Sequence, residues 1–511
     1  MDIRRLVKCF VPVIIIMMVI PSCVVQESAI TGTKRAYAYS WDQEIRIGTE
    51  VDKEIISEFG LYEDEKLNEY INSISEEILQ NSHMRREGTA QQFVDTEFTF
   101  RILDSPVVNA FALPGGYVYV TRGLMAHMNN EAQIAVVIGH EIGHVAARHA
   151  SQRGLQQTVG QIVVVGGALL GQELLGLPGE TILNLSGQAA QLLFLSHSRN
   201  HERESDRLGV EYAAKTGYAA EEGAAFFTSL KRLSERSGQS IPNLLSTHPD
   251  PGERERQIPR MADGWREQGY DQTIRNTERY LEMLDGMIYG DNPRNGFVED
   301  EIYYHPEMEF KFPVPGNWRV INQPSQVVVI SPENDAVMIL RLDSQSESAR
   351  ESIQQFLENN EIQTEDQGAV TTVSGLTAYQ ANFSITDGND QLGVNVYALE
   401  YGGRIFRFLN YTELSRFERF QSDFTATTNS FERLTDQGIL NIDPVRLQIV
   451  RVEQDQRFRD LVPQNLPMNI TLDELAIVNQ VYPDDVIEAG TLLKVPVQGA
   501  QAFDRRSQIE D

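Results

Sequence analysis

The residues with the clearest chemical meaning are two histidines and a glutamate in the segment His140-Glu141-Ile142-Gly143-His144. In a helix, residues four positions apart lie on the same face, so His140 and His144 can direct both imidazoles at one metal ion. Zinc suits this pattern because it takes nitrogen and oxygen ligands, and a catalytic zinc keeps three protein ligands and one water. Glu141 is rotated around the helix, where its carboxylate can reach the water instead of the metal. The segment therefore predicts a catalytic zinc site.

A third ligand is expected further along the chain, in the acidic segment Glu202-Arg203-Glu204-Ser205-Asp206. Glu202 could complete the metal site, while Asp206, four residues later, could accept a hydrogen bond from a ligand histidine and fix its tautomer. Spacing alone leaves Glu204 as a competing ligand, together with the pair His197 and His201. An ordinary solvated helix face is the further alternative.

The order of these motifs resembles the HtpX and CAAX-prenyl-protease family of gluzincin metallopeptidases, most closely its periplasmic branch, typified by the β-barrel assembly-enhancing protease. The resemblance covers residues 47–261. Its motifs are the two-histidine segment, Glu202 to Asp206 with Ser198-Arg199 ahead, Asn109-Ala110-Phe111, Gly115-Gly116 and Ser246-Thr247-His248-Pro249. It implies a zinc endopeptidase with one ion per chain on His140, His144 and Glu202. Glu141 is then the general base, and Asp206 and Arg199 lie beside the ligands.

His248 is the remaining candidate for the reaction. It could donate a hydrogen bond to the oxyanion of the tetrahedral intermediate, a function whose loss typically costs about 100-fold in rate or more. In the periplasmic branch that the sequence resembles, the matching histidine can instead take the fourth zinc position and hold the enzyme inactive. Both roles require His248 near the metal, and the sequence leaves both open.

A possible substrate strand precedes the zinc helix. Residues 116–121 alternate as a β-strand does, and an open edge there could pair with an extended polypeptide. The expected contacts are Asn109, Gly116, Tyr117, Val118 and Tyr119. The same pattern also fits an ordinary sheet strand.

The chain divides into several units of an overall α+β class. Residues 46–285 predict a mainly helical zincin-type domain with a small sheet, in which residues 158–172 form a buried or lid-like helical hairpin or else a membrane contact. The breaker-rich segment 291–296 separates it from an α+β domain of unknown role at 298–435. A small unit at 444–498 and a tail at 499–511 follow.

The N-terminus has the features of an export signal. Arg4, Arg5 and Lys8 precede an uncharged apolar run at 9–22, which is shorter than the roughly 20 residues of a membrane span. Ile20-Pro21-Ser22-Cys23 resembles a bacterial lipoprotein signal, in which the cysteine is lipidated. We therefore expect a signal peptide at 1–22, a lipid anchor on Cys23 and a tether at 23–45, on the periplasmic face of the outer membrane. Soluble secretion and a retained anchor helix are the alternatives.

The unit at 444–498 resembles a degenerate LysM domain, a peptidoglycan-binding fold, through Leu475-Ala476-Ile477-Val478-Asn479 and residues 487–495. Its first half fits this pattern poorly, so a generic α/β packing module is the alternative. Peptidoglycan is accordingly a possible partner.

The charge excludes one large class of functions. With 44 Lys and Arg against 73 Asp and Glu, the net charge is −29, and such a surface repels nucleic acid. The only cysteines are Cys9 and Cys23, so the folded part has no disulfide framework. The leading hypothesis is a zinc endopeptidase acting on misfolded or unassembled envelope proteins. The alternative is an envelope scaffold, chaperone-like or peptidoglycan-binding protein with a structural or capped zinc site.

Overall fold

The computed structural model describes residues 23–160, 198–237, 248, 251–360, 362, 369–387, 390–463 and 465–499. Several expectations concern residues outside these ranges: the signal peptide at 1–22 with Cys9, most of the 158–172 segment, His197, the neighbours of His248 in its motif, and the tail beyond 499. The described part has a mixed α+β architecture, which confirms the expected class. None of its helices is both long and apolar enough to cross a lipid bilayer.

Residues 24–37 form a hairpin, which corrects the expectation of a plain tether at 23–45. Strand β1 (Val24–Glu27) pairs antiparallel with β2 (Lys34–Tyr37). Tyr37 is fully buried, and the guanidinium of Arg148 lies 3.7 Å from the centre of its ring. This aromatic anchor, which the small and polar composition of the segment concealed, fixes the hairpin on the body of the protein.

The first domain is mainly helical, as expected. Its helices are α1 (Trp41–Phe59), α2 (Glu65–Gln80), α3 (Gln91–Val94), α4 (Arg122–Ala126), α5 (Glu131–Ala147), α6 (His149–Gly160), α7 (Arg199–Thr216), α8 (Gly223–Ser237), α9 (Pro251–Glu267) and α10 (Thr277–Leu284). Every residue of α5 is buried, so this helix, which carries the two-histidine segment, is the centre of the domain. Asn130 caps its first turn by accepting a hydrogen bond from Gln133 N.

Helices α5 and α7 approach each other closely because each has a glycine at the crossing point, Gly139 in α5 and Gly209 in α7. A Cβ atom at Gly209 would lie 2.7 Å from His140 N and 2.8 Å from Val136 O, and Gly139 faces the backbone of Gly209. Such backbone contacts leave no room for a side chain. The absence of a side chain at Gly209 thus brings the helix of Glu202 against the helix of His140.

A three-stranded sheet lies beside these helices and corrects the expectation of an open-edge substrate strand. It contains β3 (Thr99–Leu103), β4 (Ala110–Leu113) and β5 (Tyr117–Thr121), with β5 in the middle. Strand β5 pairs parallel with β3 and antiparallel with β4. Both sides of its backbone are therefore occupied, and it cannot accept an added strand. The turn before it uses Gly115 and Gly116, at φ 83° and 104°.

The middle domain contains a seven-stranded antiparallel sheet. In spatial order its strands are β12 (Ala369–Val373), β13 (Leu376–Asp387), β14 (Asp390–Tyr401), β15 (Arg404–Glu413), β11 (Ala336–Asp343), β10 (Gln326–Ile330) and β9 (Arg319–Gln323). A second sheet is formed by β16 (Glu432–Arg433), β8 (Phe310–Pro313), β7 (Ile302–His305) and β6 (Phe297–Glu299). Helices α11 (Ala349–Asn359) and α12 (Phe417–Asn429) contribute to separate hydrophobic cores.

The C-terminal unit packs against the first domain. Its elements are α13 (Gln437–Leu440), β17 (Val445–Arg451), β18 (Gln456–Arg457), α14 (Phe458–Leu461), α15 (Leu472–Val478), β19 (Val486–Ile487) and β20 (Leu492–Gln498). Strand β17 pairs with β20 and also with the chain after α10, where Leu447 N donates to Met287 O at 2.8 Å. Lys494, 1% exposed, donates to Ala126 O at 2.7 Å and Met128 O at 2.8 Å. The unit is thus anchored just before α5.

Candidate metal centre

Four side chains from three parts of the chain converge at α5. They are His140, His144, Glu202 and His248, all buried, and their potential ligand atoms lie within 4.8 Å of one another. His140 Nε2 and His144 Nε2 are 2.9 Å apart, and Glu202 Oε1 lies 3.4 Å from His144 Nε2. The structure therefore brings together the two helical histidines, the expected third ligand and the expected additional histidine.

This donor set has the chemistry of a zinc site. Ligand atoms placed tetrahedrally about 2.0–2.1 Å from an ion would lie about 3.3–3.4 Å from each other. Glu202 Oε2 lies 3.6 Å from His140 Nε2, and His248 Nδ1 lies 3.4 Å from the same atom. No residue that the structure describes donates a hydrogen bond to the buried Glu202 Oε1. That oxygen is therefore available to a cation. The spacing and the chemical types of the four residues fit a zinc ion.

Glu141 lies beside the ligand cluster and is 2% exposed. Burial raises the pKa of its carboxyl, against the lowering effects of His248 and His140. His248 Nε2 lies 3.7 Å from Glu141 Oε1. Beside them is a small cavity of about 10 Å³, with apolar walls that include Val136, Phe226 and Ile258. The Glu141 carboxylate thus faces a small, mainly apolar space next to the ligand cluster.

Asp206 and Arg254 form the support behind His140. Asp206 Oδ1 lies 2.9 Å from His140 Nδ1, so it can fix that ring with Nε2 toward the metal position. Arg254 donates through Nε to Asp206 Oδ2 at 2.9 Å and through its terminal nitrogen to Glu202. Burial would raise the pKa values of Asp206 and Glu202, but Arg254 and the neighbouring histidines lower them. Arg199 is exposed, on the rim of a groove next to Glu202.

A different set of residues lies behind His144. His149 Nδ1 is 3.0 Å from His144 Nδ1, and His149 Nε2 is 3.2 Å from Glu204 Oε2. Burial lowers the pKa of His149, against the raising effect of Glu204. The ring of His201 stacks on that of His149 with centres 4.3 Å apart. Two competing ligands of the sequence analysis, Glu204 and His201, therefore contact His149 and are not among the four clustered residues.

The residues expected to contact substrate face other elements. Tyr119 donates to Asp52 Oδ1 of α1 at 2.8 Å, and the hydroxyl of Tyr117 lies 3.0 Å from that of Thr49. Asn109 is buried, and its backbone N donates to Thr121 Oγ1 at 3.1 Å. Val118 belongs to the core of the domain. The side chains of Tyr117, Val118 and Tyr119 thus contact α1 and the core of the domain.

Two supporting residues, Arg254 and His149, were not among the expected site residues. Arg254 stands six positions after His248, and its role depends on α9 crossing α7, a long-range contact that no local pattern reports. His149 follows the zinc helix directly, and its return to His144 depends on the left-handed conformation of Arg148, at φ 59°. The only sequence signal is the position of His149 five residues after His144, which is not helical spacing.

Comparison with known proteins agrees with this geometry. Residues 65–262 match peptidase family M48. The chain is 30% identical to the beta-barrel assembly-enhancing proteases of Yersinia pestis and of Escherichia coli (strain K12), in both cases over 44% of this chain and 44% of the relative. It is 30% identical to the mitochondrial metalloendopeptidase OMA1 of Bos taurus over 33% of each chain. The matched part thus spans less than half the length of these relatives.

Solved structures give a weaker similarity. The cyanobacterial PsbP of Synechocystis sp. PCC 6803 aligns at 16% identity and a TM-score of 0.23, over 28% of this chain and 98% of that chain. The family match includes the two-histidine segment, Glu202, Asp206, His248 and Arg254. The chain therefore contains a peptidase family M48 domain over residues 65–262.

Proposed function

We propose that this protein is a zinc-dependent endopeptidase. The observation that carries the proposal is the convergence of His140 Nε2, His144 Nε2 and the Glu202 carboxylate, with Glu141 buried beside them. When bound, zinc supplies a Lewis acid that polarises the scissile carbonyl and lowers the pKa of water to about 7. The ion belongs on His140, His144 and Glu202, one per chain.

The protein's own residues then perform the proton transfers. Glu141 accepts the proton of the attacking water and delivers it to the leaving amine, a function that a desolvated carboxyl with a raised pKa suits. Asp206 orients His140, and Arg254 balances the charges of Asp206 and Glu202. The apolar walls of the adjoining cavity exclude bulk water, which strengthens these electrostatic interactions.

His248 has two roles compatible with its position. Its Nδ1 lies 2.9 Å from Glu202 Oε2, within reach of the metal position, and its Nε2 is oriented toward Glu141. As a fourth ligand it would hold the enzyme inactive, and as a donor it would stabilise the oxyanion. Substituting His248→Ala distinguishes the two roles, because cleavage rises if the histidine is a brake and falls if it is an oxyanion donor.

We propose misfolded or unassembled envelope proteins as substrates. Two of the similar proteins are named as beta-barrel assembly-enhancing proteases, and the N-terminal residues fit export and lipidation of Cys23, which is exposed. Anchoring at the periplasmic face of the outer membrane follows from that lipidation. Growth with radiolabelled palmitate tests this, since label should enter the wild type and not the Cys23→Ser variant.

The C-terminal unit supports a second, separate proposal of peptidoglycan binding. Its strands β17 and β20 pair antiparallel and enclose α14 and α15 in sequence. A pull-down of the whole protein on purified peptidoglycan tests it. If the protein is recovered only in the supernatant, the unit does not bind peptidoglycan and serves only to pack against the first domain.

The decisive experiment for the peptidase is Glu141→Gln. Zinc content is measured together with cleavage of an unfolded outer-membrane protein. We expect zinc to remain bound and cleavage to be lost. Glu211→Gln is the matched control, because Glu211 is also a buried glutamate but lies outside the ligand cluster. Unchanged turnover in Glu141→Gln would refute the mechanism, and a wild type that binds zinc without cleaving would favour a scaffold.

A further inference from the structure

His144 is held from behind by a histidine that directly follows the zinc helix. His149 is fully buried, and its Nδ1 lies 3.0 Å from His144 Nδ1. The other nitrogen of His144, Nε2, faces His140 and Glu202. His149 therefore contacts the one nitrogen of His144 that is directed away from the metal position.

The backbone between the two histidines makes this contact possible. Arg148 ends α5 in the left-handed conformation, so the chain turns and α6 starts at His149. Such a conformation is unfavourable for a residue with a side chain and persists when the surroundings enforce it. Here Arg148 is 1% exposed and donates to Glu44 at 2.6 Å and to Tyr39 O at 2.7 Å. The first helix and the chain after the hairpin together fix the turn.

The contacts that join His144 to Glu204 through His149 fit one set of proton positions when His144 offers Nε2 to a metal. His144 then carries its proton on Nδ1 and donates it to His149 Nδ1. The hydroxyl of Ser205, 3.3 Å from His149 Nδ1, can donate to the same acceptor atom. His149 in turn carries its proton on Nε2 and donates it to Glu204 Oε2, at 3.2 Å. His201 stacks on the ring of His149, with an angle of 15° between the two ring planes, and holds that ring in this orientation. This chain of hydrogen bonds ends at the carboxylate of Glu204, whose side chain is 26% exposed.

The two helical ligands therefore have different supports. His140 is held by a carboxylate directly, through Asp206, whereas His144 reaches Glu204 only through His149. We propose that His149, with Glu204 behind it, is a positioning residue that fixes the tautomer and orientation of His144 for metal binding. This inference rests on the proposed zinc site.

The test measures zinc affinity by competition with a chromogenic chelator, together with the urea unfolding of the metal-free protein. His149→Phe removes the acceptor and keeps the ring volume approximately. Loss of such a partner typically lowers metal affinity about 10- to 100-fold, and we expect this range. His149→Gln supplies an amide oxygen at a similar place and should recover part of the affinity. Glu204→Gln should produce a smaller loss in the same direction.

The outcomes separate this inference from the proposed function. Zinc affinity in His149→Phe equal to that of the wild type overturns the positioning role, even if metal-free stability falls. Equal losses in His149→Phe and His149→Gln also overturn it, since a hydrogen-bond acceptor would then be irrelevant. If the wild type itself binds no zinc, the proposed function fails as well.

Discussion

Arg254 and Asp206 form a buried ion pair, with Arg254 Nε 2.9 Å from Asp206 Oδ2, directly behind the histidine that Asp206 orients. The same guanidinium also contacts Glu202. One arginine thus compensates two carboxylates that would otherwise repel each other in a dry environment. Arg254 thus links Glu202, the expected third ligand, to the carboxylate that supports His140.

Replacing Arg254 by glutamine should therefore damage both fold and metal binding. Removing one partner of a buried ion pair costs about 3–5 kcal/mol, because the remaining charges stay buried and uncompensated. We expect Arg254→Gln to lower the free energy of unfolding by this order and to reduce zinc content. Urea denaturation and metal analysis measure the two effects. Arg203→Gln is the control, since Arg203 is 59% exposed and pairs with Glu253 at the surface. A stable, zinc-loaded Arg254→Gln protein would contradict this account.

The close helix crossing predicts a strong effect of a single methyl group. Gly209→Ala should destabilise the protein by about 1–3 kcal/mol, because the added carbon meets backbone atoms that no rotamer change can move. Zinc affinity should fall as well, since the displaced helix carries Glu202. Gly264→Ala is the matched control on α9, where nothing lies within 4 Å of the added carbon, and it should be neutral or stabilising by about 0.5–1 kcal/mol. Similar melting temperatures for the two variants would argue against the proposed role of the crossing.

Lys494 predicts a pH dependence of stability. Burial holds its pKa well below the usual value near 10.5, whereas the unfolded chain keeps that usual value. Between these two values the unfolded state binds one more proton, so stability rises with pH, by up to about 1.4 kcal/mol per unit. The unfolding free energy of the wild type relative to Lys494→Met should therefore increase from about pH 7 to about pH 9. The pKa of nearby His127 is lowered by burial to about 4, so this residue stays neutral throughout. A difference independent of pH would show that Lys494 is charged in the folded protein.

Metal removal should lower thermal stability. Zinc bound to the native state alone stabilises it by about 2.7 kcal/mol at a free concentration 100 times the dissociation constant. We expect a chelator to lower the melting temperature of the wild type and to leave Glu202→Ala unchanged, because that variant lacks the third ligand. Re-addition of zinc should restore only the wild type. Equal chelator effects on both proteins would contradict the assignment of Glu202.

Local patterns predicted much of this molecule and missed what depends on distant contacts. The strand expected at 116–121 lies at β5, and the helix that the spacing of His140 and His144 requires lies at α5. The central position of β5 was missed because strand order is set by partners far along the chain. The anchoring role of Tyr37 could not be predicted, because it depends on the distant Arg148 stacking on its ring. Arg254 was missed for the same reason.

The pairing of β17 with the chain after α10 has a consequence for how the units are joined. Tyr289 N donates to Val445 O at 2.8 Å, so the chain leaves the first domain and returns to it at almost the same point. The whole middle domain is thus an insertion whose two ends meet. A short loop from residue 290 to residue 444 could replace it and leave the M48 domain joined to the C-terminal unit. The middle domain therefore has the connectivity of an inserted module, while the C-terminal unit stays attached to the first domain through Lys494.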